Sequence, residues 1–178
     1  MARTAIVDLL VLRAKEVTDG RGTVREFYRE SAFVEAGLTS LGPWVQLNLS
    51  ETRQGAVRGL HGEAMTKLVG VAAGEAFGVY VDVRRSSPTF GRVVTVDLTV
   101  GVEVLVPAGV CNGFQAVSPG VTQYLYGFTS EWTPGMAGVS ITPLDEDLGI
   151  PWPIPLDTGD STQVSAKDVA ASRLSALR

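Results

Sequence analysis

Short apolar and β-branched runs recur along the chain, each closed off by turn residues. Lys67–Ala72, Phe77–Val83, Arg92–Leu98, Val102–Val106 and Gln123–Phe128 are all of strand length. Gly74, Ser87-Pro88, Gly101, Pro107 and Pro119-Gly120 separate them. Several runs alternate apolar with polar or small residues, a period of two that suits a sheet with unlike faces. Helical spacing is scarce. Ser31–Gly37 predicts one short helix closed by Gly37, and the tail Ser165–Arg178 predicts another. Pro134–Pro155, rich in Pro and Gly, reads as an extended connection. Many strands without long helices between them predict an all-β sandwich or barrel.

Composition adds limits. The length of 178 residues suits a single domain over 1–178, and 45% hydrophobic with 19% charged residues is a globular balance. A net charge of -4 argues against nucleic acid as a partner. Cys111 is the only cysteine, so no intrachain disulfide forms, which fits a reducing compartment. The N-terminal apolar run is broken by Asp8 and does not read as a signal peptide. No stretch approaches the roughly 18 apolar residues of a membrane span. The expectation is a cytoplasmic protein with no membrane partner.

The histidine count changes the picture most: there is one, His61. A metal site on a β scaffold usually takes two or three histidines and a carboxylate, whereas here His61 and Glu63 form only an H-x-E pair, so no metal is expected. Cys111 with His61 is the only Cys/His pair available, and Cys111 reads better as a small buried hydrophobe on a strand. No phosphate-cradling loop or dinucleotide fingerprint is present.

General acid–base chemistry remains. Arg58 stands three residues before His61; in a regular strand they face opposite ways unless Gly59 kinks or bulges the chain. Taken alone, His61 reads as an ordinary surface or core residue. Tyr124 and Tyr126 share a strand face, as packing aromatics or as a phenol proton donor. Ser165-Ala166-Lys167-Asp168 has the outline of a capping box, which makes Asp168 a helix-start residue.

Together these segments resemble the dTDP-4-dehydrorhamnose 3,5-epimerase family, from about Asp19 to Asp168. The resemblance rests on Val57-Arg58-Gly59-Leu60-His61, Lys67-Leu68-Val69, Gly74 to Arg84, Ser87-Pro88-Thr89-Phe90-Gly91, Val106-Pro107-Ala108-Gly109, Asn112-Gly113-Phe114, Tyr124-Leu125-Tyr126, Asp147 to Pro153 and Ser165 to Asp168, in that order. It implies a cupin-type jelly-roll β sandwich, a homodimer, and no metal or organic cofactor. The implied substrate is a dTDP-linked 4-keto-6-deoxy sugar, whose C3 and C5 protons are acidified by the C4 ketone. The match makes His61 the base, Asp168 its orienting carboxylate and Tyr126 the acid. Arg58 and Lys67 match the cations that meet the O4 enolate charge. Arg21, Glu26, Gln46, Asn48 and Asn112 complete the implied substrate-binding set.

The chain departs from the family's pattern at three places. Asn112 stands where a second histidine is usual, Thr23-Val24 where an aromatic pair is usual, and Glu131-Trp132 where two tyrosines are usual. These changes bear on nucleotide preference and on which carbons are inverted. A mono-epimerase acting at C3 or C5 alone is the near alternative, and a non-catalytic sugar-binding jelly roll is the alternative of another class.

Overall fold

The computed structural model describes residues 1–38 and 43–178. In chain order the elements are β1 (Ala2–Arg3), β2 (Leu10–Arg13), β3 (Lys15–Asp19), β4 (Gly22–Glu26), helix α1 (Glu30–Glu35), β5 (Gln46–Arg53), β6 (Val57–Glu63), β7 (Lys67–Ala73), β8 (Ala76–Asp82), β9 (Val93–Leu98), β10 (Val102–Val106), β11 (Val110–Ala116), β12 (Val121–Phe128), β13 (Gly138–Ser140) and helix α2 (Ala166–Val169). A six-stranded sheet, β1-β2-β10-β7-β12-β5, packs against a five-stranded sheet, β13-β6-β11-β8-β9. The β3–β4 hairpin is hydrogen-bonded only to itself. Strands distant in sequence lie side by side, as β10 does between β2 and β7, which is jelly-roll topology.

Three apolar layers explain the strand sequences. Between the sheets, Val69, Val71, Tyr80, Val104, Phe114 and Tyr124 form the main core. The outer face of the five-stranded sheet carries Phe77, Val79, Val81 and Cys111, covered by Ile141, Leu148, Trp152 and Leu174 from the C-terminal segment. The outer face of the six-stranded sheet carries Leu12, Leu68 and Leu105 under Phe27, Phe33, Leu38 and Trp44. Strands β8 and β10 are therefore covered on both faces, and every residue of each is buried. That is why their sequences lose the alternation of a half-exposed strand. Cys111 is fully buried on β11, as its reading as a small hydrophobe anticipates.

The five predicted strands are present, with ends displaced by at most two residues. The first predicted helix stands as α1, and Gly37 beyond it takes a φ of +80°. The predicted C-terminal helix is a correction: α2 covers only four residues, and a 3-10 turn follows at Leu174–Leu177. Tertiary bonds break the helix. Ser172 bridges Ile141, its carbonyl accepts from Thr142 N at 2.9 Å, and Leu174 N donates to Asp145 Oδ2 at 2.7 Å. The segment read as an extended connection also holds strand β13, which adds to the edge of β6. Among the described residues no helix is long and apolar enough to cross a membrane.

Candidate active site

At one end of the sandwich the core gives way to a cavity of about 690 Å³, within the usual range for small-ligand sites. The start of β7, the start of β5 and the end of β12 form one wall; β6 and β11 form the other. Period-two alternation continues from the core, so the side chains after Val71, Val69 and Tyr124 on the same faces are Lys67, Tyr126 and Phe128.

Strand β6 departs from alternation. His61 pairs with Asn112 and Arg58 with Phe114, so three steps on β6 oppose two on β11. This bulge sits at Gly59, whose φ is +125° and whose Cβ, if present, would lie 2.6 Å from Gly113 Cα. Glycine is required on both strands. The extra residue turns Arg58 and His61 into the same cavity while Leu60 enters the outer core.

His61 Nε2 lies 2.6 Å from Asp168 Oδ1. Asp168 sits in the first turn of α2, and Ser165 caps that turn by accepting from Asp168 N at 3.1 Å. The Ser165 hydroxyl donates to Asp168 Oδ2 at 2.9 Å. The capping role and the site role are thus one arrangement: one oxygen turns to the cap, the other to the imidazole. Asp168 is 6% exposed. Burial pushes its carboxyl up, but the hydrogen bond and charge of His61, with the Ser165 hydroxyl, outweigh it and hold the group below its ordinary value. An ionised carboxylate only accepts, so Nε2 carries the hydrogen and Nδ1 is the basic atom.

Around this dyad, Lys67 Nζ donates to Asn112 Oδ1 at 2.7 Å and to His61 O at 3.1 Å, and pairs with Glu63. It also lies 5.9 Å from the Phe128 ring centre. Arg58 donates from Nε to Thr52 Oγ1 at 2.8 Å and from Nη2 to Glu51 O at 3.3 Å. Gln46 donates to Asn48 Oδ1 at 3.1 Å and accepts from Trp132 N at 2.7 Å, which ties the 131–137 loop to the cavity wall. The two tyrosines separate. Tyr124 is buried and stacks on Phe114 with ring centres 3.9 Å apart, and burial pushes its phenol well up. Tyr126 is half-buried and lines the cavity.

A model of the family described as dTDP-4-dehydrorhamnose 3,5-epimerase matches residues 3–176. The dTDP-4-dehydrorhamnose 3,5-epimerase of Salmonella typhimurium is 39% identical, over 97% of this chain and 93% of its own. This chain belongs to the dTDP-4-dehydrorhamnose 3,5-epimerase family. Among solved structures, the dTDP-6-deoxy-D-glucose-3,5-epimerase of Legionella pneumophila, in complex with dTDP-4-keto-L-rhamnose, superposes with a TM-score of 0.86 at 35% identity, covering 97% of this chain and 90% of that one. A 3'-monoepimerase from Streptomyces bikiniensis, in complex with dTDP-quinovose, gives 0.86 at 29% identity, covering 98% and 88%. The jelly-roll expectation holds.

The residues that the family resemblance singles out fall into two groups. His61, Asp168, Tyr126, Arg58, Lys67, Gln46, Asn48 and Asn112 line one cavity. Arg21 and Glu26 do not line it. Both lie on the β3–β4 hairpin, where Arg21 pairs with Asp19, its side chain 92% exposed, and Glu26 pairs with Arg29. Glu63, Phe128 and Lys167 also line the cavity without having been assigned to the substrate. Phe128 was detectable, since it shares the face of Tyr126 two residues on. Among the described residues no group of three His, Cys, Asp or Glu side chains is placed to hold a metal ion.

Proposed function

We propose that this protein inverts C3 and C5 of a dTDP-4-keto-6-deoxy sugar. The observation that carries the reading is the 2.6 Å His61–Asp168 dyad opening on the same cavity as Tyr126. His61 Nδ1 takes the proton α to the ketone, and the C–H electron pair moves into the enolate with its charge on O4. Imidazole suits this step near neutral pH, and the buried Asp168 carboxylate stabilises the imidazolium that forms. The Tyr126 hydroxyl then returns a proton to the opposite face of the carbon. A purely sugar-binding jelly roll has no use for this acid–base set.

Inversion at one carbon alone is the second reading, supported by the similarity to the Streptomyces bikiniensis 3'-monoepimerase and by Asn112 in the cavity wall. Incubation with dTDP-4-keto-6-deoxyglucose in D₂O, followed by NMR, tests both. Deuterium at C3 and C5 supports double inversion, and deuterium at one carbon supports the mono-epimerase. Binding without exchange at either carbon sinks both.

We also propose a homodimer. Val17 and Val24 on the hairpin and Leu47 and Leu49 on the edge strand β5 are apolar and exposed, the pattern of surface that association covers. Arg21 and Glu26 reach a nucleotide only if the hairpin extends to a second copy. Arg21→Ala then raises KM with kcat little changed, and light scattering reads the dimer. The lone buried thiol of Cys111 fits a cytoplasmic location.

A further inference from the structure

Among the described residues two carboxylates line the cavity, Asp168 and Glu63. Asp168 is engaged by His61 and Ser165. Glu63 is held differently. It pairs in charge with Lys67, and the oxygen turned to that ammonium, Oε2, is buried and closes no hydrogen bond. The side chain is 15% exposed, and it is the cavity that it lines. A carboxylate only accepts, with about four lone-pair sites, and an under-used acceptor at a buried position calls for an explanation. Lys67 has the complementary surplus. Two of its three ammonium hydrogens go to His61 O and Asn112 Oδ1, which leaves the third for a ligand oxygen. A donor and an acceptor thus stand side by side in the wall. Strand β6 sets their place relative to the base. Beyond the bulge at Gly59 it pairs regularly with β13, His61 with Ser140 and Glu63 with Gly138. Residues two apart share a face and stand roughly 7 Å apart along the strand, about the width of a sugar ring.

We infer that Glu63 is a specificity-determining residue that accepts from the hydroxyl on C3 of the sugar, beside the C4 ketone whose oxygen takes the free Lys67 hydrogen. The two flanks of the ketone differ in the way this pair can read. An α-hydroxy ketone shows an acceptor and a donor on neighbouring carbons, the complement of an ammonium beside a carboxylate. C5 carries a methyl group and no hydroxyl, so that flank offers Glu63 nothing to accept. The pair therefore tells C3 from C5 by the hydroxyl and fixes how the ring lies in front of His61. The identity of the sugar rests on the epimerase reading; the contact between Glu63 and a hydroxyl is a matter of binding and is tested as one.

The experiment compares dTDP-4-keto-6-deoxyglucose with its 3-deoxy analogue, which keeps the ketone and lacks the hydroxyl. Calorimetry gives the dissociation constant of each, and deuterium exchange gives KM. Wild-type protein should favour the hydroxylated sugar by about 10–100-fold in both constants, the range for a hydrogen bond to a charged group. Glu63→Ala should shrink that preference to within about threefold. Glu63→Gln keeps an amide oxygen that still accepts, so its preference should fall between the two. A residue that serves only as counter-ion to Lys67 gives another pattern: Glu63→Ala then weakens both sugars alike and the preference stands. That result overturns the assignment, as does a wild type that binds the two sugars equally. The calorimetric arm needs no turnover. If wild-type protein binds the sugars but exchanges no deuterium, the epimerase reading falls, and the binding preference, lost or kept in Glu63→Ala, still decides the Glu63 contact.

Discussion

Glu103 lies on β10, in the middle of the six-stranded sheet, and is 2% exposed. Its neighbours in register are Leu12 and Gly70, with Phe27 over Gly70, and its Oε1 has no hydrogen-bond partner. The Arg25–Glu16 ion pair sits over Gly101 and satisfies itself. Burial without a partner pushes the Glu103 carboxyl from an ordinary 4.5 up to about 8. The folded state therefore keeps this proton between pH 4.5 and 8, where the unfolded chain has lost it. Stability must fall as pH rises through that window and level off above it. Each pH unit is worth about 1.4 kcal/mol, so the full interval is about 5 kcal/mol, and water reaching the carboxyl trims it to about 3.

Glu103→Gln removes the ionisation and keeps the shape. The expected result is near-equal stability of wild type and variant at pH 5, with the variant about 3–5 kcal/mol more stable at pH 9. Urea unfolding at pH 5, 7 and 9, at fixed protein concentration, measures it. The window is clean on the acid side: Asp82 and Asp168 are held low and are ionised throughout it. Cys111, pushed up to about 12 by burial, stays neutral. Parallel pH curves for the two proteins would refute the reasoning. A variant less stable than wild type at pH 9 would refute it more sharply, because it would mean a cation meets the carboxylate.

Asp168→Asn leaves an amide against His61 but removes the charge that favours the imidazolium; kcat for deuterium exchange should drop by about 10³-fold or more, with the fold intact by circular dichroism. Tyr126→Phe keeps the ring and removes the proposed acid, so exchange at the substrate should outlast inversion, with epimerised product falling by about 10²-fold in an NMR assay of both. Asp82 is fully buried and accepts from Arg84, Ser87 and Thr89, at 2.6 Å from each hydroxyl. Burial raises its carboxyl, but these bonds prevail and hold it well below its ordinary value. Asp82→Asn should cost about 3–5 kcal/mol at pH 7 in urea unfolding. Because the folded carboxyl is depressed, the gap from wild type should be full above about pH 4 and shrink as pH falls further.

The fold was legible where strands are half-buried or doubly buried in short runs, as β7, β8 and β10 are. It was least legible where the chain's own period is broken. Strand β6 hides its function because one extra residue at Gly59 moves Arg58 to the face of His61; the glycine flagged a bulge, but only the register against β11 shows its direction. Asp168 was legible as a cap from local sequence, and its link to a histidine 107 residues away was reachable only by resemblance. The failed C-terminal helix has the same origin: its Ala-rich composition favours a helix, but Ser172 and Leu174 find better partners in the β13 connection.

The single histidine also constrains how selectivity is built. On the epimerisation proposed above, C3 and C5 flank one ketone, so cations at O4 would serve either enolate, and one imidazole would be presented to whichever carbon reacts. Neither Arg58 nor the His61–Asp168 dyad can then distinguish the two carbons. What differs between the two reactions is the orientation of the sugar and the angle at which the Tyr126 hydroxyl meets it. In this chain those are set by the walls of the 690 Å³ cavity: Asn112 on β11, Phe128 beside Tyr126, and the loop bearing Trp132 and Met136, tethered through Gln46. Exchanging Asn112 for histidine should therefore change the ratio of C3 to C5 exchange more than the total rate. A change in rate at constant ratio would place the selectivity back in the catalytic groups.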